Sequence, residues 1–492
     1  MDSKNDKENV IRGISSQTLV TLLIGLVDIL SFSIMSRLLN SQDFGYYAAI
    51  VAVSMVFSSL AENGIGSAIV QQKKLNKEYV DCAFTMSLII GILITILMCC
   101  SSNFLASHVA DETMTVPLMI YSITLLCSCV TSVNNSLMQR DLHFLRIGLV
   151  NLTSLVITTV VAIFLAWKGY GYYAILAKGV LASILTMILS YYASKAKYKI
   201  SCNILIYKQI WSFSGWLMAS ALLRNFANQA DRLMMSSLFS VSTLGLYSRP
   251  KEFVASISAK INYIFDSVLF PVLSSFQDSK TKMQKSFLDI LYFMNLLGMI
   301  LSILFFFNSE LIIRIFLGEE WVSINYLFQI LAFSPALFVI GRVGDIFLRA
   351  LGLTKNQFFF RLGQLILTVV FIIVSYKRGI VAVAFATMIA YFIIASSKIL
   401  YISFQISCTN KELFLSFIKG WYPILYYLLP YVVCLLIIPH DWIGNIIQVI
   451  VFFIVTIVIF IFYPSLIGDK YQSKIYLELL NYSHKITSKL WN

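Results

Sequence analysis

Continuous apolar runs of about 17–25 residues recur along this chain, and they limit how it can fold more than any other feature. Clear examples are residues 83–100, 147–167, 287–307 and 446–462. A helix rises 1.5 Å per residue, so each run is long enough to cross the ~30 Å hydrocarbon core of a bilayer. The runs do not alternate apolar and polar residues as the strands of a membrane barrel do. The sequence therefore predicts an all-α, polytopic membrane helix bundle.

Composition excludes a water-soluble protein. Hydrophobic residues make up 59 % of the 492 residues and charged residues 12 %, whereas soluble domains have roughly 45–50 % and 25 %. The formal net charge of +13 would suggest nucleic acid as a partner if the protein were soluble. In a membrane protein the same Lys and Arg orient the helices and face anionic lipid. We therefore expect membrane lipids as partners and no nucleic acid.

The runs predict about fourteen membrane spans. We place them near 16–39, 46–70, 82–104, 115–137, 147–167, 172–192, 211–239, 247–275, 287–308, 322–347, 361–376, 380–401, 422–438 and 443–463. An even number puts both termini on one side, and most of the 37 Lys and Arg lie in the connections on that side. Because basic residues are retained in the cytoplasm, we expect both termini to be cytoplasmic. Residues 1–14 are polar and no small-residue cleavage pattern follows, so the first span is expected to remain uncleaved.

The chain carries a weak internal repeat. A shift of 200 residues aligns Met35, Ser36, Leu38, Gly45 and Tyr47 with Met235, Ser236, Leu238, Gly245 and Tyr247. These positions fall at the turns that leave spans 1 and 7. We therefore expect two pseudo-symmetric six-helix lobes, 1–200 and 201–405, followed by two C-terminal helices and a cytoplasmic tail in 406–492.

Span 7 contains the densest polar group: Arg224, Asn225, Asn228, Gln229, Asp231 and Arg232. At 100° per residue these six positions occupy one arc of about 160°. A charge at membrane depth costs at least ~2.5 kcal/mol, so it usually faces protein or water. We interpret the arc as a wall of a hydrophilic cavity, with all of these residues except Gln229 as candidate substrate-binding residues. The alternative is a polar seam between helices, in which neighbours neutralise Arg224 and Asp231.

Four more charges inside predicted spans are candidate substrate-binding residues: Asp28, Glu62, Lys260 and Arg342. Asp28 aligns with Asn228 under the 200-residue shift. For each of the four, a structural ion pair or a helix-end position is the alternative. Arg342 and Asp345, for example, are three residues apart and could neutralise each other.

The sequence lacks motifs of covalent chemistry. It contains no GxxxxGK[ST] phosphate loop and neither GxSxG nor HExxH. The eight Cys and four His form no cluster with metal-ligand spacing. We therefore expect no catalytic residue, no metal site and no cofactor.

Several segments carry a family resemblance: residues 36–47 (SRLLNSQDFGYY), 63–71 (NGIGSAIVQ), 316–321 (FLGEEW) and 349–355 (RALGLTK), with Asp231 and Arg232 ahead of the turn 244–247. In these segments the chain resembles bacterial polysaccharide transporters, the repeat-unit flippases for O-antigen, capsule or exopolysaccharide. They belong to the multidrug/oligosaccharidyl-lipid/polysaccharide exporter superfamily. The resemblance covers residues ~10 to ~400, and the last two spans match by hydropathy alone.

The resemblance implies a two-lobe bundle that alternates between inward-open and outward-open states in the bacterial inner (cytoplasmic) membrane. It implies a flippase, not an enzyme, that moves undecaprenyl-pyrophosphate-linked oligosaccharide repeat units to the outer leaflet. Polysaccharide polymerase and glycosyltransferases are the partners it implies. Arg suits a pyrophosphate because the guanidinium binds two oxygens at once. We also expect the turns that contain Gly45 and Gly245 to form the outer gate.

Two alternatives stay open at this point. One is a cation-coupled multidrug exporter of the same superfamily, with Asp28, Glu62 and Asp231 as proton or sodium sites. The other is a membrane-embedded polysaccharide polymerase or acyltransferase. The numerous Lys and Arg inside the spans argue against the first, and the missing catalytic motifs argue against the second.

Reporter fusions test the predicted topology. Fusions at Asn40, His108 and Asp441 should report an extracytoplasmic position, and fusions at Asn76 and Ser279 a cytoplasmic one, because the basic connections stay inside. A phosphatase reporter and a fluorescent-protein reporter at the same five sites control for expression. A reversed result at any one of these five sites would contradict the predicted spans.

Overall fold

The computed structural model of the chain describes residues 5–62, 64–72, 75–109, 111–274, 279–409 and 411–416, with four single residues at 447, 450, 451 and 454. All regular secondary structure in these ranges is helical, and no strand occurs in them. The predicted all-α class is confirmed. The last two predicted spans, 422–438 and 443–463, lie almost entirely outside the described residues.

Fifteen α-helices occur in the described part of the chain. They are α1 Asn5–Leu38, α2 Ser41–Glu62, α3 Ile65–Gln71, α4 Lys77–Val109, α5 Thr115–Arg140, α6 Phe144–Trp167, α7 Tyr172–Ser194, α8 Ile204–Leu238, α9 Val241–Ser274, α10 Lys280–Phe307, α11 Ser309–Ile312, α12 Asn325–Leu331, α13 Ser334–Ala350, α14 Thr354–Ser375 and α15 Ile380–Gln405. An irregular segment links α11 to α12 through a π-turn, Ile313–Leu317, and a 3-10 turn, Glu319–Ile324. The continuous apolar runs thus became helices, as a bilayer requires.

Ten segments of the described chain are long and apolar enough to cross a membrane. They correspond to predicted spans 1–6 and 9–12, so the chain is a multi-pass membrane protein. Predicted spans 7 and 8 correspond to α8 and α9, which are 35 and 34 residues long and are not among these ten segments of the described residues. The total of fourteen remains a prediction.

Three predicted span boundaries are wrong. The expected span 46–70 is divided, because α2 ends at Glu62 and the short α3 begins at Ile65. The expected span 322–347 is divided between α12 and α13, with Pro335 in the first turn of α13. The short eleventh span, 361–376, is instead a 22-residue helix, α14. Hydropathy missed its polar first turns, which are helical without being apolar.

The described residues pack as two compact units. The first takes in residues 1–252, 315–320 and 361–387, and the second takes in 253–314, 321–360 and 388–492, each as far as it is described. Helices α9, α14 and α15 therefore contribute residues to both units. The predicted lobes, 1–200 and 201–405, describe a sequence repeat rather than packing, so they stay a prediction.

Each unit has its own packing centre. In the first, α5 packs against α4 and α7, α1 against α6, and α2 against α8. In the second, α10 packs against α13. There Phe287 and Phe347 meet edge to face, with ring centroids 5.0 Å apart. Small residues bring these helices close, since a Cβ on Gly298 would lie 2.7 Å from the Cα of Ala336.

Candidate functional site

The polar arc on α8 has an exposed end and a buried end. At its N-terminal end, Arg224 and Asn228 are exposed. Asn225, beside them, donates to the backbone oxygen of Met55 in α2 at 3.2 Å. At its C-terminal end, Asp231 and Arg232 are buried, with 0 % and 8 % of their surface exposed. The two interpretations of the arc therefore apply to different parts of the same helix.

The buried end of the arc is neutralised by two charges on α9. Asp231 forms a salt bridge with Lys251, and it accepts a second hydrogen bond from the hydroxyl of Tyr247 at 2.7 Å. Arg232 pairs with Glu252 at 3.1 Å. A buried charge left unpaired is strongly destabilising. These contacts therefore fix α8 against α9.

Arg249 extends the same cluster from α9 to α1. Its guanidinium donates to the hydroxyl of Ser36 at 2.9 Å and to the backbone oxygen of Phe32 at 2.6 Å. It also lies over the ring of Phe32, 3.3 Å from the centroid, and 3.6 Å from Glu252. Glu252 thus forms salt bridges with both Arg232 and Arg249. We call Asp231, Arg232, Arg249, Lys251 and Glu252 the ionic cluster.

Asp28 lies near a second cationic group. Lys178 of α7 donates to the hydroxyl of Ser31 in α1 at 2.6 Å, and both Asp28 and Arg249 act on it electrostatically. Asp28 is half-buried. The structure thus places Asp28 on α1, the helix whose Phe32 and Ser36 accept hydrogen bonds from Arg249 of α9.

The remaining predicted site residues are Glu62, Lys260 and Arg342. The side chains of Glu62 and Lys260 lie outside the described ones. Arg342 is half-buried on α13 in the second unit. Asp345, three residues further along α13, pairs with Lys398 of α15 at 2.8 Å.

Sequence reasoning missed the cations that neutralise the arc. The candidate site residues did not include Arg249 and Lys251, although α9 begins at Val241 and both side chains are buried. Helical spacing could have found them. Tyr247 and Lys251 are four residues apart and both contact Asp231. Lys398 gave no comparable signal, because its partner lies 53 residues away.

The first turns of α2 and α9, which we predicted to form an outer gate, touch each other, and the gate itself stays a prediction. A Cβ on Gly45 would collide with the backbone oxygen of Val241, and a Cβ on Gly245 would collide with that of Ser41. The hydroxyls of Ser41 and Ser242 lie 2.8 Å apart. Under the 200-residue shift, Ser41 corresponds to Val241 and Gly45 to Gly245. The two glycine contacts are therefore counterparts of each other.

The long apolar helices of the described chain define the class of multi-pass membrane proteins. A family model described as polysaccharide biosynthesis protein matches residues 34–326, more than half of the chain. The chain therefore belongs to this family. It is also 20 % identical over 378 residues to the teichuronic acid biosynthesis protein TuaB of Bacillus subtilis, covering 73 % of this chain and 75 % of that one.

Two solved structures share the fold. The lipid II flippase MurJ in an inward closed conformation matches with a TM-score of 0.72 and 17 % identity, over 92 % of this chain and 99 % of that one. An inward-facing multidrug resistance MATE family transporter of the MOP superfamily matches with a TM-score of 0.63 and 15 % identity, over 82 % and 99 %. At these identities the likeness establishes the fold alone.

The ionic cluster predicts a non-additive stability effect. Lys251→Met leaves the buried carboxylate of Asp231 without its cation, which should cost about 3–5 kcal/mol. Asp231→Asn combined with Lys251→Met removes both charges and should recover much of that loss. Thermal unfolding of the purified protein in detergent measures the difference. As a control, Glu310→Gln breaks the exposed Glu310–Arg314 pair and should cost about 0–1 kcal/mol. A double variant no more stable than Lys251→Met would contradict the pairing.

Proposed function

We propose that the chain is a flippase that moves undecaprenyl-pyrophosphate-linked oligosaccharide repeat units from the cytoplasmic to the outer leaflet by alternating access. The family match supports a role in polysaccharide biosynthesis, and the fold is one that a lipid II flippase also has. The observation that carries the proposal is the exposed end of α8. There a guanidinium and amide side chains stand together on a helix long enough to cross the membrane.

Within this proposal, Arg224 binds the pyrophosphate, and Asn225 and Asn228 bind neighbouring oxygens or sugar hydroxyls. A charge-assisted, bidentate contact is the strongest that a side chain offers to a phosphate. Asp231 and Arg232 act indirectly, by holding α8 against α9. Asp28, Glu62, Lys260 and Arg342 remain candidate substrate contacts of the alternating cycle.

A cation-coupled drug exporter fits the site less well. Such a protein needs a carboxylate that can exchange a proton or sodium ion. Asp231, one of the acids proposed for that role, is fully buried and already has Lys251 as a fixed counter-ion. The MATE transporter is also the weaker fold match of the two.

The cellular setting follows from the same proposal. Both termini lie in the cytoplasm, the two lobes are 1–200 and 201–405, and the host membrane is the bacterial inner membrane. Polysaccharide polymerase and glycosyltransferases act before and after the flippase. The protein itself performs no covalent step.

Substitution of Arg224 tests the substrate contact. Arg224→Ala should lower export of the lipid-linked oligosaccharide about tenfold or more, because it removes a charged hydrogen-bonding group. Arg224→Lys keeps the charge but loses the planar fork, so it should retain partial activity. Translocation is measured in proteoliposomes and as surface glycan in cells that lack the native gene.

Arg314→Ala is the matched control, since it also removes an arginine and breaks an exposed pair with Glu310. It should export normally. Normal export by Arg224→Ala, with unchanged protein in the membrane, would remove Arg224 from the substrate site. A wild-type protein that moves no lipid-linked oligosaccharide would contradict the proposed function itself.

The contact between the turns supports an outer gate that is closed in this structure. Alternating access requires the turns at Gly45 and Gly245 to separate when the outer side opens. Because backbone meets backbone there, closure needs no side chain to reorganise. Glycine is required at both positions, since a Cβ would hold the turns apart.

A disulfide across the turns tests the gate. With the native cysteines replaced, Ser41→Cys combined with Ser242→Cys should cross-link under oxidation, because the two hydroxyls are 2.8 Å apart. Transport should stop and return on reduction. Each single variant under the same oxidant is the control. Full transport with a near-complete cross-link would mean that this side does not open between the turns.

A further inference from the structure

The first unit contains a cleft of about 810 Å³ where α3, α5 and α7 meet. Most of its lining residues carry a hydroxyl or a carboxamide, and none of them carries a charge. Its volume is within the range of ~300–1,000 Å³ that small-molecule sites occupy. A polar cleft of this size in a membrane helix bundle needs an explanation, because lipid tails cannot satisfy its walls.

One helix supplies most of this polar wall. The lining residues on α5 are Ser128, Thr131, Ser132, Asn135, Ser136 and Gln139. Their spacing of three and four residues places them on one face, in an arc of about 140° at 100° per residue. The sequence thus contains a second polar helix face, made of neutral residues only, in addition to the charged arc on α8.

Helix packing accounts for only part of this face. Small residues in membrane helices usually let neighbouring helices approach closely. Gly66 of α3 does so, because a Cβ there would lie 2.8 Å from the hydroxyl of Ser132. Arg140 then fixes the end of α3 by donating to the backbone oxygen of Ile69 at 2.8 Å. The cleft remains open beside this contact. The polar face of α5 therefore extends beyond the residues that pack against α3.

Two polar atoms in the wall have no partner among the residues that the structure describes. They are the hydroxyl of Thr131 and the amide oxygen of Asn135, and both are buried. The hydroxyls across the cleft on α7 are already engaged. Thr186 donates to Ser154 at 3.0 Å, and Ser183 donates to the backbone of its own helix. Thr131 and Asn135 are therefore the groups that gain most from a ligand.

The chemistry of the wall selects a neutral ligand. A phosphate in a site of low dielectric needs a cation, and this wall has none. Hydroxyl and amide groups instead match the many hydroxyls of a sugar. The cleft also lies one helix away from the charged arc, because α3 packs against α8 as well as α5. Glycan and pyrophosphate of one substrate would then meet different helix faces.

We propose that the cleft between α3, α5 and α7 binds neutral, hydroxyl-rich sugar units of the lipid-linked oligosaccharide, with Thr131 and Asn135 as hydrogen-bonding residues. This inference rests on the proposed function. It assigns the glycan to α5 and leaves the pyrophosphate to Arg224 on α8. The composition of the α5 face would then set which repeat unit the protein accepts.

Binding of two probes by the purified full chain in lipid nanodiscs tests the proposal. One probe is undecaprenyl-pyrophosphoryl oligosaccharide extracted from a producing strain, and the other is undecaprenyl pyrophosphate without sugar. Thr131→Val and Asn135→Leu, made separately, should each weaken binding of the sugar-bearing probe about tenfold. Binding of the sugar-free probe should not change. Thr158→Val on α6 is the matched control, because Thr158 is buried outside the cleft and donates to its own helix.

The outcomes separate this inference from the proposed function. If the variants bind both probes as the wild type does, or weaken both equally, the cleft does not recognise the glycan, while the flippase proposal stands. If the wild-type protein binds neither probe, the flippase proposal fails, and the assignment of the cleft fails with it. A variant that elutes as an aggregate is replaced by Asn135→Ala or Thr131→Ala, which also remove the hydrogen-bonding group and add no bulk.

Discussion

Hydrocarbon provides no partner for a charge or for an unpaired backbone group, and the structure of this chain depends on that constraint. Helices satisfy the backbone by themselves, so the remaining problem is the charged side chains. Each unit contains one buried Asp–Lys pair between neighbouring helices. Asp231 pairs with Lys251 in the first unit, and Asp345 pairs with Lys398 in the second.

The ionic cluster specifies how helices fit together more than it adds stability. Taking two charges out of water costs about as much as their attraction returns, so a buried pair is weak evidence for stability. Its geometry is nevertheless demanding. Arg249 meets a hydroxyl, a backbone oxygen, an aromatic ring and Glu252 at once, which only one register of α1 against α9 allows. The cluster therefore fixes the position of α9, whose first turn carries Gly245.

The fold could be predicted largely from the sequence because one property, continuous apolar length, decides it. The same property does not reveal buried charges, so Arg249 and Lys251 near the start of α9 were not recognised as part of the site. Partners were harder to predict than positions. Asp345 has Arg342 three residues away, yet it pairs with Lys398, since spacing along one helix cannot reveal which other helix lies opposite. The neutral face of α5 went unnoticed for a different reason, because Ser, Thr and Asn barely interrupt an apolar run.

The two copies of the internal repeat contact each other at the first turns of α2 and α9. A sequence repeat alone shows only that two segments have a common origin. Here the repeated glycines contact each other's segment, so that Gly45 meets Val241 while Gly245 meets Ser41. Such a reciprocal contact is self-complementary, as at a two-fold interface. A bulkier residue at either glycine would therefore disturb the same small area of backbone. The contact of Gly45 with Val241 and that of Gly245 with Ser41 belong to one surface. Separation of the two helix ends would therefore break both contacts at the same time.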